Sequence, residues 1–462
     1  MKKLLAIAFF ASVLTTIATA QTEVSGEQSG TWDAQGSPYL VVGEITVPTG
    51  QTLNIEPGVE VNFQGHYKFT VNGTLNAIGT ENDSIFFTTD NPSVGWGGIR
   101  FENTLFISHL SYCRIEFGKT QGNYPDNHGG AMALIASNAV VSNCVFADND
   151  ATGDDDGMGG AVYAVNTGNM STPLTKFTNC KFLRNYAYGE GGAIKFTSDI
   201  NTEITGCEFI ENHCKYGGGA ISFYSVTGTK MIFCLFAGNY TQFSAGGAVN
   251  TLGLGNTIAF KNCTITDNSA PGGDGGGVNL AYAAADFVNT IVYNNPGMYS
   301  SNLNLDFEGY ASVNYCDMPV PSGATGSNNI NENPQFLNPD NYDFHLAETS
   351  PCIDAGTDIG YQYFGLAPDM GCFEFGNNVG ISNPQKENTI VFPNPVKDIM
   401  SVDLTGNKTA TMEIFNIAGQ SVFQKHDVQT AGTVNLSQLK PGVYYIVIKS
   451  ENKTSSMRII KE

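Results

Sequence analysis

A lysine and a tyrosine occupy equivalent positions of a repeated motif, where they could perform acid–base chemistry. The position lies two residues after the alanine of a recurring Gly-Gly-Ala motif and reads Ala133, Tyr163, Lys195, Ser222, Asn250 and Asn279. If these side chains form one exposed column, Lys195 and Tyr163 are a candidate base and acid for β-elimination from an acidic sugar. An ordinary solvated sheet face is the simpler interpretation, because nothing in the sequence argues for a perturbed pKa.

Aromatic and carboxylate side chains are concentrated in the segments that precede the Gly-Gly pairs. The set of candidate ligand residues also includes two asparagines of the column that contains Lys195. The candidates are Tyr186, Tyr188, Glu190, Tyr216, Tyr240, Asn250 and Asn279. Aromatic rings stack on the apolar faces of sugars, and carboxylates and amides bond their hydroxyl groups. The pattern therefore favours a glycan-binding surface, and variable turns without a ligand are the alternative.

An acidic segment, DNDATGDDDG, offers the oxygen ligands that calcium prefers. Its carboxylates are Asp148, Asp150, Asp154, Asp155 and Asp156. The segment starts like an EF-hand loop, but the twelfth position is Gly159 rather than glutamate, so a solvated acidic turn is the alternative. Calcium is the one cofactor that the sequence suggests.

The elements that carry these residues repeat along the chain. The Gly-Gly pairs begin at Gly129, Gly159, Gly191, Gly218, Gly246 and Gly275, at intervals of 30, 32, 27, 28 and 29 residues. A Cys-x-Phe-x-x-Asn element repeats in phase as CVFADN, CKFLRN, CEFIEN, CLFAGN and CTITDN, followed by a degenerate TIVYNN. Self-similarity at this period predicts a solenoid, and the short alternating runs predict that it is built from strands.

Stacked coils would place equal positions on top of one another and form ladders of identical side chains. The predicted cysteine ladder is Cys113, Cys144, Cys180, Cys207, Cys234, Cys263 and Cys316. The predicted phenylalanine ladder is Phe146, Phe182, Phe209 and Phe236. The predicted asparagine ladder is Asn149, Asn185, Asn212, Asn239, Asn268 and Asn294. We expect packed thiols rather than disulfides in the cysteine ladder, because in-register neighbours have poor bridging geometry.

The paired Phe-x-x-Asn and Gly-Gly-Ala-Ile motifs resemble those of the chlamydial polymorphic outer-membrane proteins and of bacterial right-handed β-helix proteins. The resemblance covers roughly residues 40–320. It implies an all-β, right-handed, pectin-lyase-like parallel β-helix, here placed at 21–325 with an N-terminal cap. It implies little about activity, because this scaffold carries lyases, hydrolases and adhesins alike.

Residues 326–376, with NPQFLNPDNYDFHLAETSPCIDAG and PDMGCFEFG, resemble the choice-of-anchor Q module that follows β-helices in surface proteins. That family usually has alanine at the positions of Cys352 and Cys372. Two departures to cysteine within one short module lead us to expect a disulfide between them.

A polar linker at 377–389 precedes residues 390–462, which resemble the type A C-terminal sorting domain of type IX secretion substrates in Bacteroidota. The positions that match most closely are Pro393, Asn394, Pro395, Gly419, Gln420, Gly442, Tyr444 and Lys461. The resemblance implies a small immunoglobulin-like β-sandwich, recognition by the type IX secretion machinery, and release or anchoring at the cell surface.

Charge and the first residues agree with an exported protein. Residues 1–20 have the charged, apolar and small-residue regions of a signal peptide, and no later stretch has the length of a membrane-spanning helix. The formal net charge is −21, although residues 388–462 carry eight Lys and Arg against six Asp and Glu. The acidic body should repel nucleic acid and anionic membranes, so neither is an expected partner.

The sequence favours a non-enzymatic protein, secreted or attached to the outer-membrane surface, that binds glycans or mediates adhesion. A carbohydrate-active enzyme, a polysaccharide lyase before a glycoside hydrolase, is the first alternative. A structural surface protein without a small ligand is the second. The usual motifs of serine hydrolases, zinc proteases and phosphate-binding loops are missing from the sequence.

Overall fold

A computed structural model describes residues 21–104, 106–153, 155–165, 174–198, 201–376, 390–392, 396–403, 410–416, 421–428, 432–450 and 453–461. The chain divides into two compact units, the first ending at residue 378 and the second beginning at residue 379. The predicted signal peptide (1–20) and linker (377–389) lie outside the described residues. Within the described residues, no helix has the length and hydropathy needed to cross a membrane.

The first unit is a parallel β-solenoid, as the repeat predicts. A representative coil runs through the strands Ile194–Thr197, Asn201–Thr205 and Glu208–Ile210, and then begins the next coil at Ile221–Tyr224. Each strand pairs in parallel with its equivalents in the coils before and after. The solenoid therefore has three faces, which we name the Gly-Gly-Ala face, the third face and the Cys-x-Phe face after the motifs that open or fill them.

The strands of the three faces follow in chain order. The Gly-Gly-Ala face contains the second half of Tyr39–Val47, then Phe69–Val71, Ile99–Glu102, Met132–Ile135, Val162–Val165, Ile194–Thr197, Ile221–Tyr224, Val249–Leu252, Val278–Ala281 and Leu303–Asp306. The Cys-x-Phe face contains Thr22–Glu27, the first half of Tyr39–Val47, Glu60–Phe63, Ile85–Thr88, Cys113–Glu116, Val145–Ala147, Lys181–Leu183, Glu208–Ile210, Leu235–Ala237, Thr264–Thr266 and Ile291–Tyr293. The third face contains Gly30–Trp32, Thr52–Ile55, Thr74–Ile78, Ser108–Ser111, Ala139–Ser142, Leu174–Thr178, Asn201–Thr205, Thr229–Ile232, Asn256–Lys261, Ala283–Val288 and Tyr310–Asn314.

The interior is one continuous apolar core from Val24 to Met318. The phenylalanine ladder stacks with ring centroids 4.9, 4.8 and 4.7 Å apart and nearly parallel planes. All seven ladder cysteines are buried free thiols, and Thr290 completes their column between Cys263 and Cys316. In this column, a side-chain sulfur or hydroxyl accepts a hydrogen bond from the backbone N–H of the ladder residue in the neighbouring coil. Threonine can therefore replace cysteine in the column.

The asparagine ladder forms as predicted except at its last member. Asn268 donates its backbone N–H and its amide to Oδ1 of Asn295, at 3.0 and 2.8 Å. The predicted member Asn294 instead has a left-handed φ of 53° and bonds Asp267. The prediction was therefore one residue out of register at the degenerate repeat, where two asparagines are adjacent.

The Gly-Gly pair is required by two different constraints. The first glycine of each pair adopts a left-handed φ, as at Gly191 (φ 70°), which favours a residue without a Cβ. The second glycine faces the backbone of the next coil, and a Cβ on Gly160 would lie 2.0 Å from the Gly192 carbonyl oxygen. The repeated doublet is thus explained by backbone geometry alone.

Residues 331–376 form a strap that folds back along the outside of the Cys-x-Phe face. The strap contains the strands Phe336–Asn338 and Asp343–Leu346, with the 3₁₀ turn Pro339–Asn341 between them. Its side chains cover apolar residues that point away from the core in two coils, and Cys372 bonds Thr264 of the coil between them. The two clusters they form are Leu235, Ala237, Phe344 and Cys372, and Ile291, Leu346, Cys352 and Met370.

The second unit consists of antiparallel strands in two sheets. One sheet contains Ile390–Phe392, Ile399–Asp403 and Gly432–Asn435. The other contains Ser421–Val428, Ala410–Asn416, Gly442–Ser450 and Lys453–Lys461. Buried residues of both sheets, such as Met400, Met412, Val434 and Ile446, form one core.

Candidate functional site

Aromatic side chains form two columns along one corner of the solenoid. At this corner, a fourth short sheet pairs Asp150–Ala151, Tyr186–Ala187, His213–Cys214 and Tyr240–Thr241 in parallel. The inner positions are small side chains that pack against each other, among them Ala151, Ala187 and Cys214. Because side chains alternate along a strand, the partner positions Tyr186, His213 and Tyr240 are directed outward.

The first aromatic column therefore consists of Tyr186, His213 and Tyr240. The rings of Tyr186 and His213 lie 4.6 Å apart. Partial burial lowers the pKa of His213 and raises the pKa of Tyr186, so both rings are uncharged at neutral pH.

The second aromatic column consists of Tyr188, Tyr216 and Phe243. Neighbouring ring centroids are 6.1 and 6.0 Å apart, and Lys215 Nζ lies 3.7 Å from the Tyr188 ring centroid. Tyr216 and Phe243 are 46 % and 55 % exposed, so their rings present apolar surface to the solvent. Phe243 lies in the same variable loops that the sequence offers as a sugar-binding surface. The spacing in the sequence indicates its place in the second column, because Phe243 follows Tyr240 by three residues, as Tyr216 follows His213.

The column that contains Tyr163 and Lys195 is not exposed, so this prediction was wrong. The two residues are register partners, but they are only 5 % and 4 % exposed. Lys195 Nζ forms an ion pair with Glu190 and a 3.0 Å hydrogen bond to Ser222 Oγ, while Ser222 donates to Glu190 at 2.7 Å. Burial raises the pKa of Tyr163 to about 12. The corner loops fold over this column, and a polymer has no access to it.

Glu190 and the two asparagines of the predicted ligand set have structural partners instead. Asn279 donates to Asn250 Oδ1 at 2.9 Å, and Asn304 donates to Asn279 Oδ1 at 2.8 Å. Asn250 and Asn279 are both buried. The structure thus keeps Tyr186, Tyr188, Tyr216 and Tyr240 together as a surface and removes Glu190, Asn250 and Asn279 from it.

Among the described residues, the predicted calcium ligands are not brought together. Asp148 accepts two hydrogen bonds of 2.8 Å from Arg184, and Asp150 lies 3.4 Å from Lys119 Nζ. Asp154 lies outside the described residues, while Asp155 and Asp156 lie in the turn that follows. Among the residues that the structure describes, no group of three or more acidic, histidine or cysteine side chains is placed to hold a metal ion.

The predicted disulfide between Cys352 and Cys372 is not formed. Both residues are buried free thiols, and they belong to different apolar clusters of the strap. Cys352 donates to Asp317 Oδ2 at 3.2 Å, whereas the backbone N–H of Cys372 donates to Thr264 Oγ1 at 3.0 Å. Each cysteine therefore fixes the strap to a different coil rather than to the other cysteine.

The residues of the predicted sorting motif are only partly described. Pro393, Asn394, Pro395, Gly419 and Gln420 lie outside the described residues. Gly442 pairs with Lys461 across the last two strands. Tyr444 donates to the Lys440 carbonyl oxygen at 2.8 Å, and Lys461 lies 3.6 Å from Asp398.

Comparison with known families identifies the second unit. Residues 390–462 match the family model of the secretion system C-terminal sorting domain. No curated protein is similar to the chain. The sorting domain marks the protein for export through the type IX secretion system, to the cell surface or to the medium.

Proposed function

We propose that this protein is a cell-surface or secreted β-helix protein that binds an extended glycan along the two aromatic columns. The observation that carries the proposal is the exposure of Tyr216 and Phe243 beside Tyr188, at successive coils of a rigid scaffold. Coils about 4.8 Å apart present rings at regular intervals, which suits a polymer of stacked sugar rings better than a single small molecule.

The proposal includes the finer structural assignments. A right-handed, pectin-lyase-like coil is supported by the strong preference of parallel crossover connections for that hand. An immunoglobulin-like sandwich for the second unit is supported by its two antiparallel sheets with a shared core. We place the signal peptide at 1–20, the β-helix at 21–325, its end module at 326–376, the linker at 377–389 and the sorting domain at 390–462.

The polysaccharide lyase alternative has no observation in its favour. A base for β-elimination must reach the sugar C–H, yet Lys195 is buried and bonded to Glu190 and Ser222. A structural surface protein is the remaining alternative, and it differs from our proposal only in predicting no glycan ligand.

Retention on immobilised polysaccharides tests the proposal. The full chain is passed over neutral and acidic polysaccharides, and the flow-through is assayed for new reducing or unsaturated ends. The test variant is Tyr216→Ala/Phe243→Ala. The matched control is Tyr282→Ala/Phe307→Ala, because these rings stack at 5.3 Å and are 37 % and 60 % exposed at a different corner.

We expect retention without product formation, and a loss of at least tenfold in affinity for the test variant but not for the control. No retention on any polysaccharide would favour the structural protein. Product formation that Lys195→Met abolishes would favour the lyase.

A further inference from the structure

A polar pocket opens on the solenoid surface near its N-terminal end. The pocket has a volume of about 270 Å³, and its polar lining includes Glu44, His66, Lys68, Gln121 and Asp126. Pockets for drug-sized ligands begin at about 300 Å³, so this one suits a ligand of roughly one ring.

Hydrogen-bond donors and acceptors both line the pocket. Lys68 Nζ lies 2.9 Å from Asp126 Oδ2, and this hydrogen bond, with the nearby Glu44 carboxylate, raises the pKa of Lys68. His66 Nε2 lies 2.7 Å from the Lys119 carbonyl oxygen, so Nε2 carries the proton and donates. Ammonium and carboxylate groups at this spacing can bond neighbouring hydroxyl groups of a sugar.

A buried arginine lies behind the pocket wall. Arg100 Nε donates at 2.8 Å to the carbonyl oxygen of Gly97, which itself lines the pocket. Arg100 Nη1 donates to the His128 carbonyl oxygen, while Nη2 has no hydrogen-bond partner among the described residues. Burial lowers the pKa of Arg100 only to about 10, so the guanidinium stays charged at neutral pH. Arg100 is not among the residues that line the pocket, so it supports the pocket wall through its bond to Gly97.

The pocket is in register with the aromatic columns. The carbonyl of Lys119 bonds His66, and Lys119 pairs in parallel with Asp150, which pairs with Tyr186 of the first aromatic column. Two coils, or about 10 Å, therefore separate the Lys119 level of the pocket from the first aromatic ring. The pocket and the columns lie on the same corner of the solenoid.

We infer that the pocket is the subsite for one terminal sugar residue of a neutral polysaccharide, whose following residues lie on the aromatic columns. The inference rests on the proposed function and adds an end-specific recognition step to it. A neutral sugar fits because the lining carries both signs of charge, with Lys68 paired to Asp126 beside Glu44. The acidic body of the protein would in addition repel a polyanion.

Saturation-transfer NMR of the full chain with single sugars tests the pocket independently of the columns. The probes are D-glucose, D-galactose, D-mannose, D-xylose and N-acetyl-D-glucosamine. The pocket variants are Lys68→Met, which keeps the apolar stem, and the nearly isosteric Asp126→Asn. The matched control is Lys181→Met, which breaks a 2.9 Å ion pair with Glu208 on the Cys-x-Phe face.

We expect at least one sugar to receive saturation, and this signal to fall at least fivefold in both pocket variants but not in Lys181→Met. No transfer to any of the five sugars, or equal transfer in Asp126→Asn, would overturn the inference. A signal that Tyr216→Ala/Phe243→Ala abolishes while both pocket variants keep it would assign single-sugar binding to the aromatic columns and overturn the inference. Binding of single sugars without polysaccharide retention would contradict the proposed function alone. Polysaccharide retention without binding of single sugars would contradict the assignment of the pocket as a subsite alone.

Discussion

At the scale of single residues, the asparagine ladder joins coils through buried amides. Asn212 Nδ2 donates to the Phe182 carbonyl at 2.8 Å and to Asn239 Oδ1 at 3.0 Å. Asn212 Oδ1 accepts from the backbone and the amide of Asn185. One side chain thus satisfies buried groups of three coils, and its removal leaves several of them unpaired.

We predict that Asn212→Ala lowers the free energy of unfolding by about 2–4 kcal/mol, because buried polar groups lose their partners. Asn294→Gly is the control, since Asn294 has a left-handed φ that glycine accepts, and should change stability by less than about 0.5 kcal/mol. Urea denaturation of the full chain measures both. Equal losses of unfolding free energy in Asn212→Ala and Asn294→Gly would contradict the finding that Asn295, and not Asn294, is the ladder residue.

The cysteine thiols should be unreactive in the folded protein. All ten cysteines are buried and free, and burial raises the pKa of Cys316 to about 12 and that of Cys214 to about 11. We expect no reaction of the native protein with a thiol reagent such as DTNB, because thiolates are the reactive form. Ten thiols should react after denaturation without reductant. A count of eight would show a disulfide, with Cys352 and Cys372 as the first pair to examine.

Single residues were also where prediction from sequence was weakest. Parity along a strand correctly placed Lys195 outside the core, but it does not reveal whether a loop covers that position. Glu190, five residues away, forms an ion pair with the buried Lys195, and no pattern in the sequence indicates this contact. The ladder positions were predictable because each is repeated in sequence, whereas the contacts of Lys195 occur once.

At the scale of elements, the coil depends on the close approach of backbones at the second glycine. We predict that Gly160→Ala lowers stability by more than about 3 kcal/mol or prevents folding, since the new Cβ would lie 2.0 Å from a backbone oxygen. Gly255→Ala is the control, because a Cβ added there would have no atom within 4 Å and only its positive φ costs about 1–2 kcal/mol. Thermal unfolding followed by circular dichroism compares them. A smaller effect at Gly160 would mean that the coils can separate locally.

The strap should respond to pH through Glu374, which is buried beside Asp369. Burial, followed by the Asp369 charge, raises the pKa of Glu374 to about 7. Because the folded pKa lies above the ordinary value of 4.5, this group's contribution to stability is complete below about pH 4.5 and is lost as the pH rises through 7.

We therefore predict that local opening of residues 331–376 increases about thirtyfold between pH 5.5 and pH 8, the effect of roughly one and a half pKa units. Hydrogen exchange, corrected for its intrinsic pH dependence, measures this opening. Glu374→Gln should remove most of the difference. An unchanged difference in that variant would assign the pH response to another group.

The existence of the strap was only partly predictable. Its sequence indicated an end module but not where that module lies. The signal was on the solenoid, where the outward column of the Cys-x-Phe face changes from the charged Lys181 and Glu208 to the uncharged Leu235, Thr264 and Ile291. Apolar side chains that point outward from a strand indicate that another segment packs over them. Their outward direction is evident only from the register of the stacked coils.

At the scale of the whole molecule, the C-terminal unit directs export and the solenoid carries the proposed glycan-binding surface. The fold and the sorting domain could both be predicted because their motifs recur or occur in a fixed order along the chain. The proposed ligand surface could be predicted only as a set of loops, because the pairing of Tyr188 with Tyr216 and Phe243 depends on three-dimensional register.

Removal of residues 390–462 should keep the protein inside the cell envelope, because the type IX machinery recognises substrates by this domain. Cell fractionation and immunoblotting in the producing bacterium measure the distribution of the full and shortened chains. The control is the Tyr282→Ala/Phe307→Ala variant, which should be exported normally. Export of the shortened chain would show that a second signal lies in the first unit.

The strap also limits how the protein can change in length. Tyr342 bonds Glu211 at 2.6 Å, Cys372 bonds Thr264, and Gly371 bonds Asn289 at 2.8 Å, so the strap is attached at fixed intervals along several coils. Insertion or deletion of one coil between Glu211 and Asn289 would displace these contacts, whereas the same change before Glu211 would leave them intact. Variation in repeat number among descendants of this gene should therefore accumulate in the N-terminal part of the solenoid, upstream of Glu211.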